Sequence, residues 1–255
     1  FYKSNIFQEI LCSYQDLLTK LFMISTAIIL AGGLGTRLKG VLKGLPKPMA
    51  PINGRPFLEC QMDYWINQDI SKFILSVGHL SESIIDHFGD SYRNAQISYV
   101  DENTPLGTGG ALLLASKDVS EPFLLLNGDT FFEIELNDLY SFHIEQCAEW
   151  TMSLFRSDDS DRYMGVELAK NGKITVLNSK PSQNDFLVNG GVYLINPSAI
   201  SKLNLNPGAK FSLEDHLLPS FLSLRGKLFG NEFNAKFIDI GVPKDYYRAH
   251  KILKD

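Results

Sequence analysis

Short apolar runs alternate along this chain with segments whose apolar residues return every three or four positions, a pattern that predicts strands and helices in turn. The first run, Ala27 to Ala31 in "TAIILAGGLGTRL", is continuous rather than alternating, as expected of a strand buried on both faces. The spacing then predicts a helix over 57–67, a strand over 73–77 ("FILSV"), a helix over 81–88, a strand over 97–100, a helix opening near Thr108 and a strand over 123–126 ("FLLL"). Strand and helix repeating in this way imply right-handed βαβ units, a mostly parallel sheet and a Rossmann-like α/β first half. After residue 150 the pattern changes. Strand candidates over 150–155, 165–168, 174–177 and 186–195, broken by polar turns such as Asn171-Gly172, predict a smaller mixed or antiparallel extension. Helices near 212–222 and 244–253 flank a last strand at 236–240. Ahead of all this, Ile6, Phe7, Ile10, Leu11, Tyr14, Leu17, Leu18 and Leu21 recur at helical spacing. Met23 has the look of a natural start, so the predicted organisation is a helical extension over 1–22 and a single domain over 23–255.

Composition bounds what such a fold can do. A chain of 255 residues with 44% apolar residues can bury a full core. A net charge of −5 and a pI of about 5.6 argue against nucleic-acid and anionic-membrane partners, so any polyanion site must be local. Cys12, Cys60 and Cys147 are widely spaced and form no CxxC, which suggests neither a disulfide framework nor a zinc site and fits a reducing cytoplasm. No apolar run reaches membrane-spanning length. The five histidines show no ligand spacing and no serine stands in a G-x-S-x-G elbow, so zinc and covalent hydrolase chemistry have no support.

Candidate chemistry gathers where the first strand breaks into Gly32, Gly33, Leu34 and Gly35, followed by Thr36 and Arg37, with Lys47 in "PKPM" ten positions later. Glycines at the carboxyl end of a parallel strand present backbone N–H groups to an anion. The loop is neither a GxGxxG, since Leu38 occupies the last glycine position, nor a P-loop. Arg37 and Lys47 are suited to neutralising a triphosphate, although glycines beside an arginine can equally form a plain tight turn. Asp129 and Asp239 each end a short apolar strand, "FLLLNGD" and "AKFIDIG". Strands of one parallel sheet would bring both to the same edge, where two carboxylates suffice for Mg²⁺; the competing reading is a pair of turn aspartates.

The segments "LAGGLGTRL", "PKPM", "PLGTGGAL", "LNGDTFF", "NGGVY" and "DIGVPKDY" lie in order over nearly the whole chain beyond its leading helix and resemble the sugar-1-phosphate nucleotidyltransferases. Within them "KPMAPINGRPFLE" and "DIGVPKDYY" resemble the D-glycero-α-D-manno-heptose 1-phosphate guanylyltransferase branch. The resemblance implies a three-layer nucleotidyltransferase fold, a nucleoside triphosphate and a sugar 1-phosphate as substrates, and Mg²⁺ held by Asp129 and Asp239. It also implies transfer of GMP from GTP to a heptose 1-phosphate, giving GDP-heptose for cell-surface polysaccharide. The catalytic residues it implies are Arg37, Lys47 and Asp129, with the nucleotide lined by Leu30, Ala31, Gly32, Gly33, Gly35, Thr36, Leu106, Gly107 and Thr108. The acceptor would meet Gly128, Asn189, Gly190 and Lys180. Asn189-Gly190 also reads as a hairpin turn. Ser179 stands where the family usually carries a glutamate that bonds sugar hydroxyls. Two alternatives stay open: a thymidylyl- or uridylyltransferase acting on a hexose phosphate, and a catalytically silent nucleotide-sugar sensor on the same fold. A homo-oligomer is also left open.

Overall fold

A computed structural model describes residues 24–253 apart from 34–37, 39–41, 43, 103, 181–183 and 207. The helical extension expected over 1–22 lies outside the described residues. The first half runs β1 (Thr26–Leu30), β2 (Pro51–Ile52), β3 (Arg55–Pro56), α1 (Phe57–Ile66), β4 (Lys72–Val77), α2 (Ser81–Phe88), β5 (Ser91–Tyr92), β6 (Ala95–Asp101), α3 (Gly107–Ala115), β7 (Phe123–Asn127), β8 (Thr130–Phe132) and α4 (Leu136–Glu145). The second runs β9 (Trp150–Ser157), β10 (Gly165–Leu168), β11 (Ile174–Ser179), β12 (Phe186–Ile195) and α5 (Pro197–Lys202). A π-helical turn, Leu213–Leu217, then leads into α6 (Leu218–Ser223), followed by β13 (Leu228–Glu232), β14 (Phe237–Asp239) and α7 (Pro243–Ile252).

Eight strands form one sheet in the order β13-β9-β12-β7-β1-β4-β6-β5. Its centre, β7-β1-β4-β6, is parallel throughout. β12 runs antiparallel between β7 and β9, and β13 joins β9 in parallel. The unbroken apolar runs of β1 and β7 are explained by burial on both faces. Ala27, Ile29, Leu124 and Leu126 enter one core with α1, α2 and α4, while Ile28, Phe123 and Leu125 enter another with α3 and α6. A third cluster packs Ile52 and Phe57 against Ile238, Ile240 and Tyr246 and so ties α7 to the ribbon strands beside the sheet. No helix among the described residues is long and apolar enough to cross a membrane.

The α/β architecture expected from the pattern is present, with corrections in the second half. The strands expected over 150–155 and 186–195 become β9 and β12 of the main sheet, whereas β10 and β11 pair only with each other. The strand that delivers Asp239 does not belong to the parallel sheet: β14 pairs antiparallel with β8, with Asp239 opposite Thr130. Nor is Asn189-Gly190 a hairpin turn. It lies within β12 at a break in register against β9, where Gly191 takes φ +74°. A Cβ at Gly190 would sit 2.4 Å from the Phe132 ring and one at Gly191 2.5 Å from Thr130 Oγ1. The glycine pair therefore lets the β8–β14 ribbon lie directly on β12, a close approach that a bulge and missing side chains permit.

α4 is anchored by His143, which is 2% exposed and hydrogen-bonds Thr151 Oγ1 (2.8 Å) and Asn196 Oδ1 (3.3 Å). Burial holds its pKa below the usual 6.5, against a smaller opposing effect of the Asn196 bond. The folded state thus favours neutral imidazole: its contribution is present above about pH 6.5 and is lost as the pH falls below that value. Urea unfolding midpoints should fall between pH 7 and pH 5, and less so in His143→Asn; identical pH profiles in the two proteins would rule this out.

Candidate active site

The site forms where the carboxyl ends of β1, β6 and β7 reach the same edge of the sheet, the place where open α/β sheets bind ligands. Leaving β1, Ala31 donates its N–H to Ser76 O of β4 (2.8 Å), and Gly128 after β7 donates to Leu30 O (3.1 Å). Gly128 is required by that contact, since a Cβ there would lie 2.4 Å from Leu30 O, which belongs to a central strand and has no room to move. The turn is held from beneath by buried Gln61 of α1, whose Nε2 donates to Asn127 O (2.9 Å) and Thr130 O (2.8 Å), the residues on either side of Gly128-Asp129.

Asp129 projects from this turn onto Lys47, with Nζ to Oδ2 at 2.6 Å across 82 positions of sequence. Lys47 opens a short 3₁₀ helix, Lys47–Met49, seated by buried Pro48 and Met49. Both charges border a cavity of about 410 Å³ whose wall also includes Leu30, Ala31, Gly32, Gly33, Gly107, Thr108, Asn127 and Gly128. Of the residues expected at the nucleotide, Leu30, Ala31, Gly32, Gly33, Lys47, Gly107 and Thr108 are brought together, and Gly128, expected at the acceptor, borders the same cavity. Leu106 is buried behind the cavity, with its N–H donated to Glu102 Oε2 (2.9 Å). Gly35, Thr36 and Arg37 lie outside the described residues.

Asp239 reaches the same region by another route. Ile240 N donates to Asp129 O (2.9 Å), so the backbones of the two aspartates meet in one ladder. The Asp239 carboxylate accepts from Gly241 N (2.6 Å) and pairs with Arg162 Nη2 (2.8 Å), and Arg162 in turn pairs with buried Asp245. Each aspartate is thus neutralised by its own cation, and Asp239 lies outside the wall of the main cavity. Asn189 faces a second cavity, Gly190 packs beneath Phe132, and Lys180 is exposed just beyond β11. The donor set fits a hard divalent cation rather than zinc. It consists of carboxylate oxygens with no thiolate or imidazole beside them, and Asn127 Oδ1, on the wall of the same cavity, has no hydrogen-bond partner among the described residues. No group of three or more His, Cys, Asp or Glu side chains among the described residues is arranged to hold a metal, so phosphate and water oxygens would have to complete the shell.

A profile for the Nucleotidyl transferase family matches residues 26–255. The chain belongs to the nucleotidyl transferase family. This transferase is 40% identical over 221 residues to the D-glycero-alpha-D-manno-heptose 1-phosphate guanylyltransferase of Campylobacter jejuni, covering 87% of this chain and 96% of that one. It is 39% identical to the protein of the same name from Aneurinibacillus thermoaerophilus, over 89% of this chain and 98% of that one. Among solved structures it resembles HddC from Yersinia pseudotuberculosis with a TM-score of 0.78 and 35% identity, covering 91% of this chain and all of HddC; HddC is also known as a complex with GMP-PN.

Several wall residues of this transferase escaped the sequence reading. Glu102 sits one residue past β6 and lines the main cavity, as do Pro48, Pro105 and Lys210. The strand-end reasoning that singled out Asp129 applies equally to the strand expected over 97–100, and would have reached Glu102. Gln61 and Arg162 carried no local signal, because their partners lie more than 65 positions away. Replacing Gly128 with alanine should lower stability by about 1–3 kcal/mol, the usual cost of forcing an atom into a packed interior. Chemical denaturation would show it; a variant as stable as the parent would mean that the turn can move away from β1.

Proposed function

We propose that the chain transfers GMP from GTP to D-glycero-α-D-manno-heptose 1-phosphate in the cytoplasm, releasing pyrophosphate and forming GDP-heptose for cell-surface polysaccharide. The observation that carries this reading is a single cavity bounded by the β1 glycine turn, the Lys47–Asp129 pair, the start of α3 and the Glu102 carboxylate. Relatives near 40% identity that bear this activity's name support it.

The chemistry asks little proton transfer of the protein. The acceptor's phosphate already carries close to two negative charges at neutral pH and can attack the α-phosphorus without a general base. What remains is to bring polyanions together and to stabilise charge on the departing pyrophosphate, the work of fixed cations, amides and alignment. In this reading Arg37 and Lys47 meet the triphosphate, and Leu30, Ala31, Gly32, Gly33, Gly35 and Thr36 belong to the nucleotide site. Leu106, Gly107 and Thr108 line the base and ribose, while Gly128, Asn189, Gly190 and Lys180 meet the acceptor. Asp129 and Asp239 would hold Mg²⁺, which when bound offsets phosphate charge and aligns the reacting groups. Lys47, held by Asp129 before substrate arrives, keeps its ammonium on the wall of the cavity instead of spread over solvent.

Glu102 supports guanine as the base. Guanine offers N–H donors on its pairing edge, and an ionised carboxylate is an acceptor-only partner for them. The Glu102 carboxylate is steadied by Leu106 N and Ser76 Oγ, and it lies so close to the glycine turn that a Cβ on Gly32 would be 2.5 Å from its Oε1. Pyrophosphate release should be fastest with GTP and the heptose 1-phosphate when GTP, ATP, UTP and dTTP are each tried with heptose and hexose 1-phosphates; equal turnover with UTP would overturn the base assignment. Asp129→Asn should reduce kcat by about 10²–10³, as removal of a charge-stabilising group does, with near-normal turnover ruling out its role. Glu102→Gln keeps one acceptor for Leu106 N but removes the charge, and GTP KM should rise about tenfold as one charged hydrogen bond is lost. An unchanged preference for GTP over ATP in that variant would count against Glu102 as the base reader.

A further inference from the structure

A second cavity of about 130 Å³ opens where the β10–β11 hairpin and β12 face the start of α6. Its wall is mostly apolar, with Met152, Val166 and Val188, but Arg162, Asn178, Asn189 and Glu214 also border it. Polar groups converging in an apolar frame suit an edge of a sugar ring, which offers hydroxyls and C–H faces together. Arg162 ties this wall to the reaction region through its pair with Asp239, whose neighbour Ile240 is bonded to the Asp129 backbone. The second cavity is therefore connected to the first through Arg162, Asp239 and the Asp129 backbone.

Glu214 borders the second cavity and is bonded to a residue of the first. Ser212 caps the turn through Asp215 N (3.0 Å), and Glu214 turns inward. Its Oε2 accepts from Thr108 Oγ1 (3.1 Å), and the same hydroxyl accepts from Leu213 N (2.8 Å). Thr108 lines the nucleotide cavity. Asn178, at φ +56°, donates its side-chain amide to Glu214 O (3.3 Å), which fixes the hairpin to the same residue.

We propose that Glu214 reads a hydroxyl of the acceptor sugar and, through Thr108, positions the nucleotide loop for it, making it a specificity-determining residue of the second cavity that is coupled to the first. The inference rests on the proposed sugar-phosphate transfer. Burial, the largest influence on this carboxyl, raises its pKa above the usual glutamate value, as expected of an acid set into a cavity wall.

Steady-state kinetics of the full chain with GTP and a panel of heptose and hexose 1-phosphates, for wild type, Glu214→Gln and Glu214→Ala, tests it. In Glu214→Ala the acceptor KM should rise about tenfold or more, the effect of losing a charged hydrogen bond, and discrimination among the sugars should narrow. Glu214→Gln, which keeps the shape and one acceptor oxygen, should recover much of that loss. GTP affinity, measured by calorimetry without acceptor, should move less than the acceptor KM. A merely structural role would lower the unfolding midpoint and GTP affinity together and leave the sugar preference intact. An acceptor KM within twofold of wild type in both variants overturns the inference while leaving the transfer reaction standing. Should wild type refuse GTP but turn over another nucleotide with an acceptor KM that depends on Glu214, the guanylyl assignment falls and the inference stands.

Discussion

The contact on which the site depends is the one between two strand ends, Gly128 N–H to Leu30 O at 3.1 Å, with no room between them for a side chain. Parallel pairing of β1 and β7 brings the glycine turn and the Asn127–Thr130 turn to one edge, and the missing Cβ lets them touch. Gln61 then grips both ends of the second turn, so Asp129 leaves it in a defined direction and reaches Lys47. A turn only loosely attached to β1 would still carry an aspartate, but not one aimed at a particular ammonium.

Around that contact the charges are arranged in pairs. Asp129 is matched by Lys47 and Asp239 by Arg162, with Arg162 also bound to buried Asp245. Pairing partly buried carboxylates with cations offsets the cost of removing them from water, and truncating one partner leaves the other exposed to that cost. The same pairs leave the site ready to exchange partners. Under the proposed reaction, triphosphate oxygens would compete for the ammonium and a divalent cation for the carboxylates. The chain's net charge of −5 gives no general attraction for such anions, so binding has to be local.

The second half of the chain contributes more than a cover. β12 and β9 extend the central sheet, and the Gly190-Gly191 bulge lets the β8–β14 ribbon cross it with Thr130 and Phe132 against bare backbone. That crossing is what carries Asp239 to Asp129, since Asp239 stands opposite Thr130 in the ribbon. The same bulge leaves Asn189 on the wall of the second cavity, its Oδ1 accepting from Gly191 N and its Nδ2 donating to buried Tyr193 Oη. One irregularity thus sets both the place of Asp239 and the wall of the second cavity.

What the sequence determined by itself was local. Continuous apolar runs marked β1 and β7, helical spacing marked α1 and α2, and strand-ending glycines and aspartates marked the turns at Gly32 and Asp129. The ordered motifs gave the family, because each is a short stretch whose residue types answer to a nearby backbone or charge requirement. Tertiary structure alone decided which ends meet: that Asp239 arrives on an antiparallel ribbon, that Lys47 finds Asp129 across 82 positions, and that Gln61, Glu102, Arg162 and Glu214 stand at the site. Periodicity reports which face of an element is buried, but the partner of a charge is chosen by how distant elements pack, and that information is spread over the whole core rather than written beside the residue.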